Sequence, residues 1–219
     1  RTTSLGGVGP LTGGSELRDD QGRLLAFRDS FIADCGAWNP IGAGIAYNTA
    51  VHLPGPYKFE HFAVQARIAT TCKVPNAPYR GAGRPEAMFA VERVIDVAAR
   101  QLGYDRVTLR RRNLIPPSAQ PYPNPLGMTY DSGDYAKIMD RTLQLADWKG
   151  FSARKRVSKR NGKLRGIGLA NYIESTSGAP REYAKVDVLP EGRVDVTVGT
   201  LSSGGAYPPR RMRTDCRSR

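Results

Sequence analysis

The sequence predicts an α+β fold, because it contains segments with the period of strands and segments with the period of helices. Residues 62–71 alternate between apolar and polar side chains, which predicts a strand. Apolar side chains recur at helical spacing from Met88 to Leu102. Two further alternating runs, 182–189 and 193–200, flank the turn Pro190-Glu191-Gly192 and predict a hairpin.

The N-terminal elements begin after a glycine-rich stretch, residues 1–17, that has no period and stays unplaced. Asp20-Gln21-Gly22-Arg23 predicts a tight turn, and residues 24–33 predict a half-buried strand. Residues 36–47 are rich in Gly and Ala, which indicates close packing. Pro54-Gly55-Pro56 predicts a second turn, before the strand at 62–71.

The clearest element is a helix over 85–102. Pro85 suits a first helical turn, Glu86 lies near the positive end of the dipole, and Gly103 is a suitable C-terminal cap. A short helix is expected over 106–112.

A proline-rich connection over 118–132 predicts a boundary between two domains, 18–117 and 133–203. The second domain is expected to begin with a helix from Asp134, whose cap is Ser132 or Asp134 itself. A basic linker at 154–165 and a strand at 164–174 are expected to follow. Residues 204–219 form a basic tail that differs from the rest.

The composition is that of an ordinary soluble protein of 219 residues, without an apolar run of membrane-spanning length. Cys35, Cys72 and Cys216 are far apart and lack metal-ligand spacing, so reduced and mostly buried thiols are expected. His52 and His61 are the only histidines, and we expect both to be structural or surface residues.

The formal net charge of +13 raises the possibility of nucleic-acid binding. The excess is concentrated at 106–112, at 154–165 and after Arg210. The middle cluster has no interleaved aromatic residues on which bases could stack, so a solvated linker or a docking surface is the preferred interpretation.

Residues 78–87, with the sequence PYRGAGRPEA, carry the strongest functional signal. Two glycines just before a helix let a bulky ligand approach the backbone, and the helix N-terminus favours anions. Arg80 and Arg84 flank the turn and could bind an anion or stabilise negative charge on a substrate. Each could instead be a structural arginine that ties the loop to the core.

This decapeptide resembles the active-site loop of the molybdopterin-binding large subunit of the xanthine dehydrogenase/aldehyde oxidase family. It is most similar to large-chain homologues of aerobic carbon monoxide dehydrogenase. Three further segments resemble the family in the same order, and the likeness extends over about residues 18–203: VERVIDVAAR at 91–100, LRRRNLIPP at 109–117 and MTYDSGDY at 128–135.

The resemblance implies two partial molybdopterin-binding domains with mixed sheets and packed helices, in a fragment of a molybdenum hydroxylase catalytic subunit. Such an enzyme oxidises an aldehyde or heteroaromatic substrate by attack of Mo-OH and hydride transfer to Mo=S. Arg80 matches the arginine that faces the substrate. The positions that match cofactor-binding residues are Gly81, Ala82, Gly83, Arg84, Ser202, Ser203 and Gly204. Tyr172, Glu174 and the turn at 175–178 could also line the cofactor cleft.

The resemblance also implies cofactors and partners: molybdopterin in the cytosine dinucleotide form, an FAD-binding subunit, a [2Fe–2S] iron–sulfur subunit and a small-molecule substrate. It implies a cytoplasmic dimer of heterotrimers without nucleic acid or membrane span. Gly81 stands where carbon monoxide dehydrogenases carry a copper-binding cysteine, so no metal ligand is expected in this chain.

Two departures from the family leave alternatives open. The catalytic glutamate and the first glycine-rich cofactor loop of the family have no counterpart here, and Gly205-Ala206-Tyr207 replaces a Gly-Gln-Gly motif. A truncated, non-catalytic remnant is therefore one alternative. The tail after Ser203 is expected to come from a shifted reading frame or a truncated reading, and a genuine disordered tail is the other interpretation of it. A basic nucleic-acid-binding module is the other alternative.

Overall fold

The computed structural model describes most of the chain, in two compact units that are treated separately below. The units comprise Arg1–Glu174 and Ser175–Arg219. The described residues are 2–4, 12–19, 21–37, 42–78, 81–175 and 183–198. The domain limits expected from the sequence remain predictions.

A four-stranded sheet with one crossover helix forms one layer of the first unit. In chain order its elements are β1 (Thr2–Ser4), β2 (Thr12–Arg18), β3 (Leu24–Asp34), α1 (Gly42–His52) and β4 (His61–Ala69). The strands lie in the order β1-β2-β3-β4, and only the pair β3 and β4 is parallel. A parallel pair needs a crossover connection, and α1 lies in it.

The two strands expected over 24–33 and 62–71 are confirmed by β3 and β4. The glycine-rich stretch at the N-terminus contains β1 and β2, which were not expected. α1 was also not expected, because its sequence GAGIAYNTAVH begins with glycines, which disfavour helices. Tertiary packing compensates, since Ala46 within α1 and Leu53 directly after it are buried in the core.

The second layer consists of α2 (Arg84–Gln101) and α3 (Arg106–Asn113), which confirm the two predicted helices. Pro85 lies in the first turn of α2, and Gly103 follows its last turn at φ 70°. Apolar side chains at helical spacing are fully buried along α2. They are Ala87, Val91, Val94, Ile95 and Ala98.

Three phenylalanines join the sheet to the turn before β4. The ring centres of Phe27 and Phe62 are 5.0 Å apart, and Phe59 lies 5.6 Å from Phe27 and 5.3 Å from Phe62. Tilted and offset aromatic contacts of this kind add to the stabilisation from apolar burial.

The rest of the first unit is built from short elements after α3. They are a 3-10 turn (Pro117–Ala119), β5 (Tyr122–Pro123), β6 (Thr129–Tyr130), α4 (Tyr135–Leu145) and α5 (Phe151–Arg160). Asp134 caps α4, because its Oδ1 accepts the Lys137 N–H at 2.9 Å. Of the two caps considered, Asp134 is therefore the one used.

Two expectations for this region are wrong. The basic residues 154–165 are not a linker throughout, because α5 includes most of them and hydrogen bonds within the backbone order it. Residues 164–174 do not form a strand. A strand requires a second strand to which its backbone N–H and C=O groups bond. Here the segment is held by side-chain hydrogen bonds and an ion pair, made by Asn171, Tyr172 and Glu174.

The described part of the second unit is a hairpin of β7 (Ala184–Val188) and β8 (Val194–Val198). Val186 is opposite Val196 and Val188 is opposite Val194, and this pairing confirms the predicted hairpin around the turn at 190–192.

A buried ionic cluster connects the helices of the first unit. Arg110 on α3 is fully buried, and its Nε donates to Glu92 Oε2 of α2 at 2.7 Å. The Tyr57 hydroxyl donates to Glu92 Oε1 at 2.5 Å, and Asn171 Nδ2 donates to the Tyr57 oxygen at 2.9 Å. Asp96 Oδ1 lies 2.8 Å from Arg110 Nη1.

The protonation states of this cluster follow from burial and from the paired charges. Burial raises the pKa of Glu92 above its ordinary value, and the Arg110 charge opposes that rise. Burial has the largest single effect on the pKa of Arg110 and would lower it, but Glu92, Tyr57 and Asp96 together outweigh burial and raise that pKa. The pKa of Tyr57 is raised by burial and then by Glu92, so this hydroxyl remains a donor.

Asp29 presents a different problem, because it is buried on β3 and its two carboxylate oxygens have no hydrogen-bond partner among the described residues. Burial raises its pKa from 3.8 to about 6, and the Ser30 backbone N–H opposes that rise. Asp34 at the end of the same strand is the opposite case. Hydrogen bonds from Lys73 and Thr71 lower its pKa from 3.8 to about 2.

Glu92→Gln should lower the free energy of unfolding by up to about 3 kcal/mol, because it removes the more deeply buried of the two carboxylates that pair with Arg110 and leaves only Asp96 to balance that charge. Urea unfolding followed by circular dichroism measures the loss. Arg111→Met is the control. Arg111 lies next to Arg110 on α3, but its ion pair with Asp140 is exposed and should contribute far less to the free energy of unfolding. Equal losses in the two variants would contradict this assignment.

Asp29→Asn should stabilise the fold by about 1 to 3 kcal/mol near neutral pH, because an unpartnered buried carboxylate is replaced by a neutral group. The folded pKa is raised, so the wild type is stabilised at low pH and loses stability as pH rises from 3.8 to about 6. The gain from the substitution should therefore shrink toward zero at about pH 4.

Asp34→Asn on the same strand is the matched control and should have the opposite sign. Its folded pKa is lowered, so its contribution is present above 3.8 and is lost as pH falls toward about 2. Thermal unfolding as a function of pH measures both variants. A loss of stability in Asp29→Asn at neutral pH would show that this carboxylate has a partner.

Candidate functional site

The strongest sequence signal folds into a short loop that opens helix α2. The 81–84 loop is defined as Gly81, Ala82, Gly83 and Arg84. Two of its residues have positive φ, 77° at Gly81 and 84° at Gly83. The Arg84 N–H donates to the Gly81 carbonyl at 2.9 Å, which closes the turn. Only glycine adopts this left-handed backbone at little cost.

Gly83 is required for packing as well as for backbone conformation. A Cβ at this position would lie 2.5 Å from the Ile45 carbonyl oxygen and 2.8 Å from the Thr49 nitrogen, both on α1. Asn48 of α1 also holds the loop, since its Nδ2 donates to the Ala82 carbonyl at 3.4 Å. The loop therefore lies directly against the backbone of the crossover helix.

Arg84 is a buried cation at the first position of α2. Its side chain is 7% exposed, and its Nε lies 2.7 Å from Glu174 Oε1 and 3.2 Å from His52 Nε2. The Nδ1 atom of His52 lies 2.8 Å from the Asn48 carbonyl oxygen. These contacts assign the proton to Nδ1, which donates to Asn48, and leave Nε2 as the acceptor for Arg84.

His52 is therefore neutral in the fold. Burial lowers its pKa first of all, and the positive charge of Arg84 acts in the same direction. A neutral imidazole orients the Arg84 guanidinium without balancing its charge. The carboxylate of Glu174 supplies the negative charge that balances Arg84.

Tyr172 covers the other side of the loop. Its hydroxyl donates to Glu174 Oε2, and a Cβ built on Gly81 would lie 3.2 Å from the hydroxyl oxygen. Burial raises the pKa of Tyr172 to about 12, and the charge of Glu174 adds to the rise. The hydroxyl therefore remains protonated and acts as a hydrogen-bond donor.

The structure brings together only part of the predicted site. Gly81, Ala82, Gly83 and Arg84 are described, and they form one continuous loop. The proposed catalytic residue Arg80 lies outside the described residues. So do the other predicted cofactor-binding positions, Ser202, Ser203 and Gly204.

Two contributors were missed from the sequence, and two were only partly recognised. Asn48 and His52 reach the loop from α1, a helix that the glycine-rich sequence concealed. Tyr172 and Glu174 were considered as lining residues, but the strand expected there gave no reason to place them at the loop. Their signal was two polar side chains close to the apolar Ile173.

Chemically, the loop combines bare backbone, a helix N-terminus and a buried arginine. Gly81 and Ala82 are small and half-buried, and they allow another molecule to approach the main chain. The described residues contain no group of three or more His, Cys, Asp or Glu that could hold a metal ion. Nor does any helix among them have the length and apolar character needed to cross a bilayer.

Comparisons with known proteins agree on one family. A family profile described as "Molybdopterin cofactor-binding domain" matches residues 18–114. The 6-hydroxypseudooxynicotine dehydrogenase complex subunit gamma of Paenarthrobacter nicotinovorans is 29% identical over 199 residues, which is 85% of this chain and 24% of that protein. The carbon monoxide dehydrogenase large chain of Hydrogenophaga pseudoflava is 27% identical and covers 85% of this chain and 25% of its own length.

A solved structure gives the same result. The crystal structure of quinoline 2-oxidoreductase from Pseudomonas putida 86 matches with a TM-score of 0.78 and 30% identity, over 88% of this chain and 26% of that chain. This chain thus spans about a quarter of the length of these relatives. The α+β fold is that of the molybdopterin-binding region of molybdenum hydroxylases.

Gly83→Ala should destabilise the chain by roughly 2 kcal/mol or more, because strained backbone adds to a steric clash with α1. Gly103→Ala is the matched control: its φ of 70° is similar, but no atom lies within 4 Å of its Cβ position. The control should lose about 1 kcal/mol from backbone strain alone. Equal losses in chemical denaturation would mean that the contact with α1 does not constrain the loop.

Proposed function

We propose that this chain, which belongs to the molybdopterin-binding subunits of the xanthine dehydrogenase and aldehyde oxidase family, supplies part of the catalytic subunit of a molybdenum hydroxylase. The observation that carries the proposal is the 81–84 loop, which lies inside the matched domain and opens α2. The full reaction requires the remainder of a subunit about four times as long.

The residues of the loop fit a large anionic cofactor. Gly81 and Ala82 present the main chain with at most a methyl group, and both are half-buried rather than closed off. Gly83 contributes by allowing close packing on α1, and Arg84 contributes a buried positive charge at the N-terminus of α2. Ser202, Ser203 and Gly204 are proposed as further cofactor contacts.

When bound, the molybdenum cofactor supplies the oxidative hydroxylation of an aldehyde or heteroaromatic substrate. The chain's own residues bind, orient and exclude water. We propose that Arg80 faces the substrate and stabilises negative charge that develops there, as a fixed cation in a dry site does.

We further propose that electrons leave through a [2Fe–2S] subunit to an FAD-binding subunit, and that the cofactor is the cytosine dinucleotide form of molybdopterin. Relatives whose names describe one subunit of a complex support a multi-subunit enzyme. A cytoplasmic dimer of heterotrimers is the assembly we propose. Gly81 in place of a copper-binding cysteine favours an organic substrate over carbon monoxide.

The basic module remains the alternative from another class. Its best support is α5, where Lys155, Arg156, Lys159 and Arg160 are all exposed. The only aromatic residue on that helix is Phe151, which is half-buried and offers no stacking platform. A salt-dependent affinity for single-stranded DNA without molybdopterin in the purified protein would favour this alternative.

Arg80→Ala in the complete enzyme should lower kcat by roughly 100-fold to 1,000-fold, because a preorganised cation is lost from the reacting centre. Steady-state kinetics on a heteroaromatic substrate and on an aldehyde measure the change. Molybdenum and molybdopterin content should stay at the wild-type level. Arg28→Ala, on the exposed side of β3, is the control and should leave turnover unchanged.

Two results would contradict the assignment. Wild-type turnover in Arg80→Ala would remove this residue from the reaction. Absence of molybdopterin from the wild-type enzyme, purified from a host that makes the cofactor, would contradict the proposed function and leave the non-catalytic remnant as the interpretation.

A further inference from the structure

We infer that residues 171–174 are a clamp that sets the position of the 81–84 loop, with Glu174 and Tyr172 as positioning residues. The meaning of this clamp for catalysis rests on the proposed function, whereas the contacts that define it do not. The clamp lies beyond the end of the matched domain at residue 114, so that domain alone does not contain it.

The clamp is anchored to the core by alternate residues. Asn171 Nδ2 donates to the Tyr57 hydroxyl at 2.9 Å, which connects it to the buried cluster of Glu92 and Arg110. Ile173 is buried against Ile115 and Tyr130. These two contacts fix the backbone on both sides of Tyr172.

The other alternate residues, Tyr172 and Glu174, reach the loop. Glu174 places a carboxylate oxygen 2.7 Å from the buried Nε of Arg84. Because His52 is neutral, the charge of Arg84 needs an anion, and a buried cation without one is strongly disfavoured. Glu174 thereby holds the first residue of α2 and the turn that precedes it.

Tyr172 determines what position 81 can carry. Its hydroxyl is fixed by the hydrogen bond to Glu174, and its oxygen lies 3.2 Å from where a Cβ of residue 81 would be. A Cβ at position 81 would require the phenol to shift by a few tenths of an ångström. The phenol is half-exposed, so it, and not a side chain of the loop, borders the surface beside Gly81.

Amide hydrogen exchange on the 219-residue chain tests the clamp. Glu174→Gln should accelerate exchange of the Arg84 amide, which donates to Gly81, by about tenfold or more, while amides in the middle of α2 change by less than about threefold. Glu191→Gln, an exposed glutamate in the second unit, is the control and should change neither. Glu174→Asp, which keeps the charge, should restore most of the protection.

A purely structural role predicts a different pattern. Equal acceleration at the loop and in the middle of α2 would mean that Glu174 contributes only to global stability, and no acceleration at the loop would mean that it does not hold the loop. Either result would overturn the inference. If Glu174→Gln does not fold, Tyr172→Phe provides the same comparison, because it removes only the hydroxyl that fixes Glu174.

The contact between Tyr172 and Gly81 has its own test. Gly81→Ala should accelerate exchange of the Arg84 amide more strongly in the wild-type background than in the Tyr172→Ala background. The difference is expected because the Cβ that Gly81→Ala introduces is crowded by the Tyr172 hydroxyl, and Tyr172→Ala removes that hydroxyl. Equal acceleration in the two backgrounds would overturn the role of Tyr172.

Cofactor retention separates this inference from the proposed function. Molybdopterin content is measured in the complete enzyme that carries Glu174→Gln. Faster exchange at the loop together with loss of molybdopterin supports both ideas. Faster exchange with full retention supports the clamp and contradicts a cofactor role for the loop, whereas unchanged exchange overturns the clamp alone.

Discussion

The buried pair of Glu92 and Arg110 is the interaction on which the rest of the first unit depends. It joins α2 to α3 in a place where water cannot solvate either charge. The carboxylate must therefore find all its donors inside the protein, and Tyr57 and Arg110 provide them. Asn171 then donates to Tyr57, so a distant part of the chain is connected to the same charge. Because its hydrogen bonds must all be made, this cluster restricts how α2, α3 and the segments around Tyr57 and Asn171 can pack.

The same geometry positions the candidate site. α2 carries Glu92 in its interior and Arg84 at its first residue, so one rigid element connects the buried pair to the loop. On one side the loop meets the backbone of α1, which leaves no room for a side chain at position 83. On the other side it meets Glu174 and Tyr172. Sites held between rigid elements keep their geometry, which a large cofactor with a reactive centre requires.

The sequence predicted the elements that local patterns specify, and it failed where tertiary contacts decide. The spacing of apolar residues identified α2, and the paired valines identified the hairpin of β7 and β8. Two glycines at 81 and 83 indicated a loop with unusual backbone, and both have positive φ.

α1 was missed because glycine disfavours helices and only packing against the core stabilises this one. Residues 171–174 were misassigned as a strand because alternating side chains also suit a segment held by side-chain contacts. Arg110 was expected only as one member of the basic cluster at 106–112, since no local pattern distinguishes a buried arginine from a solvated one.

The most direct test of this account is the structure of the complete enzyme with its cofactor bound. We predict that the backbone of Gly81 and Ala82 lies in van der Waals contact with the molybdenum cofactor, within about 4 Å, while Glu174 remains paired with Arg84. A cofactor bound elsewhere, with the 81–84 loop facing only protein, would contradict the central claim that this loop forms part of the active site.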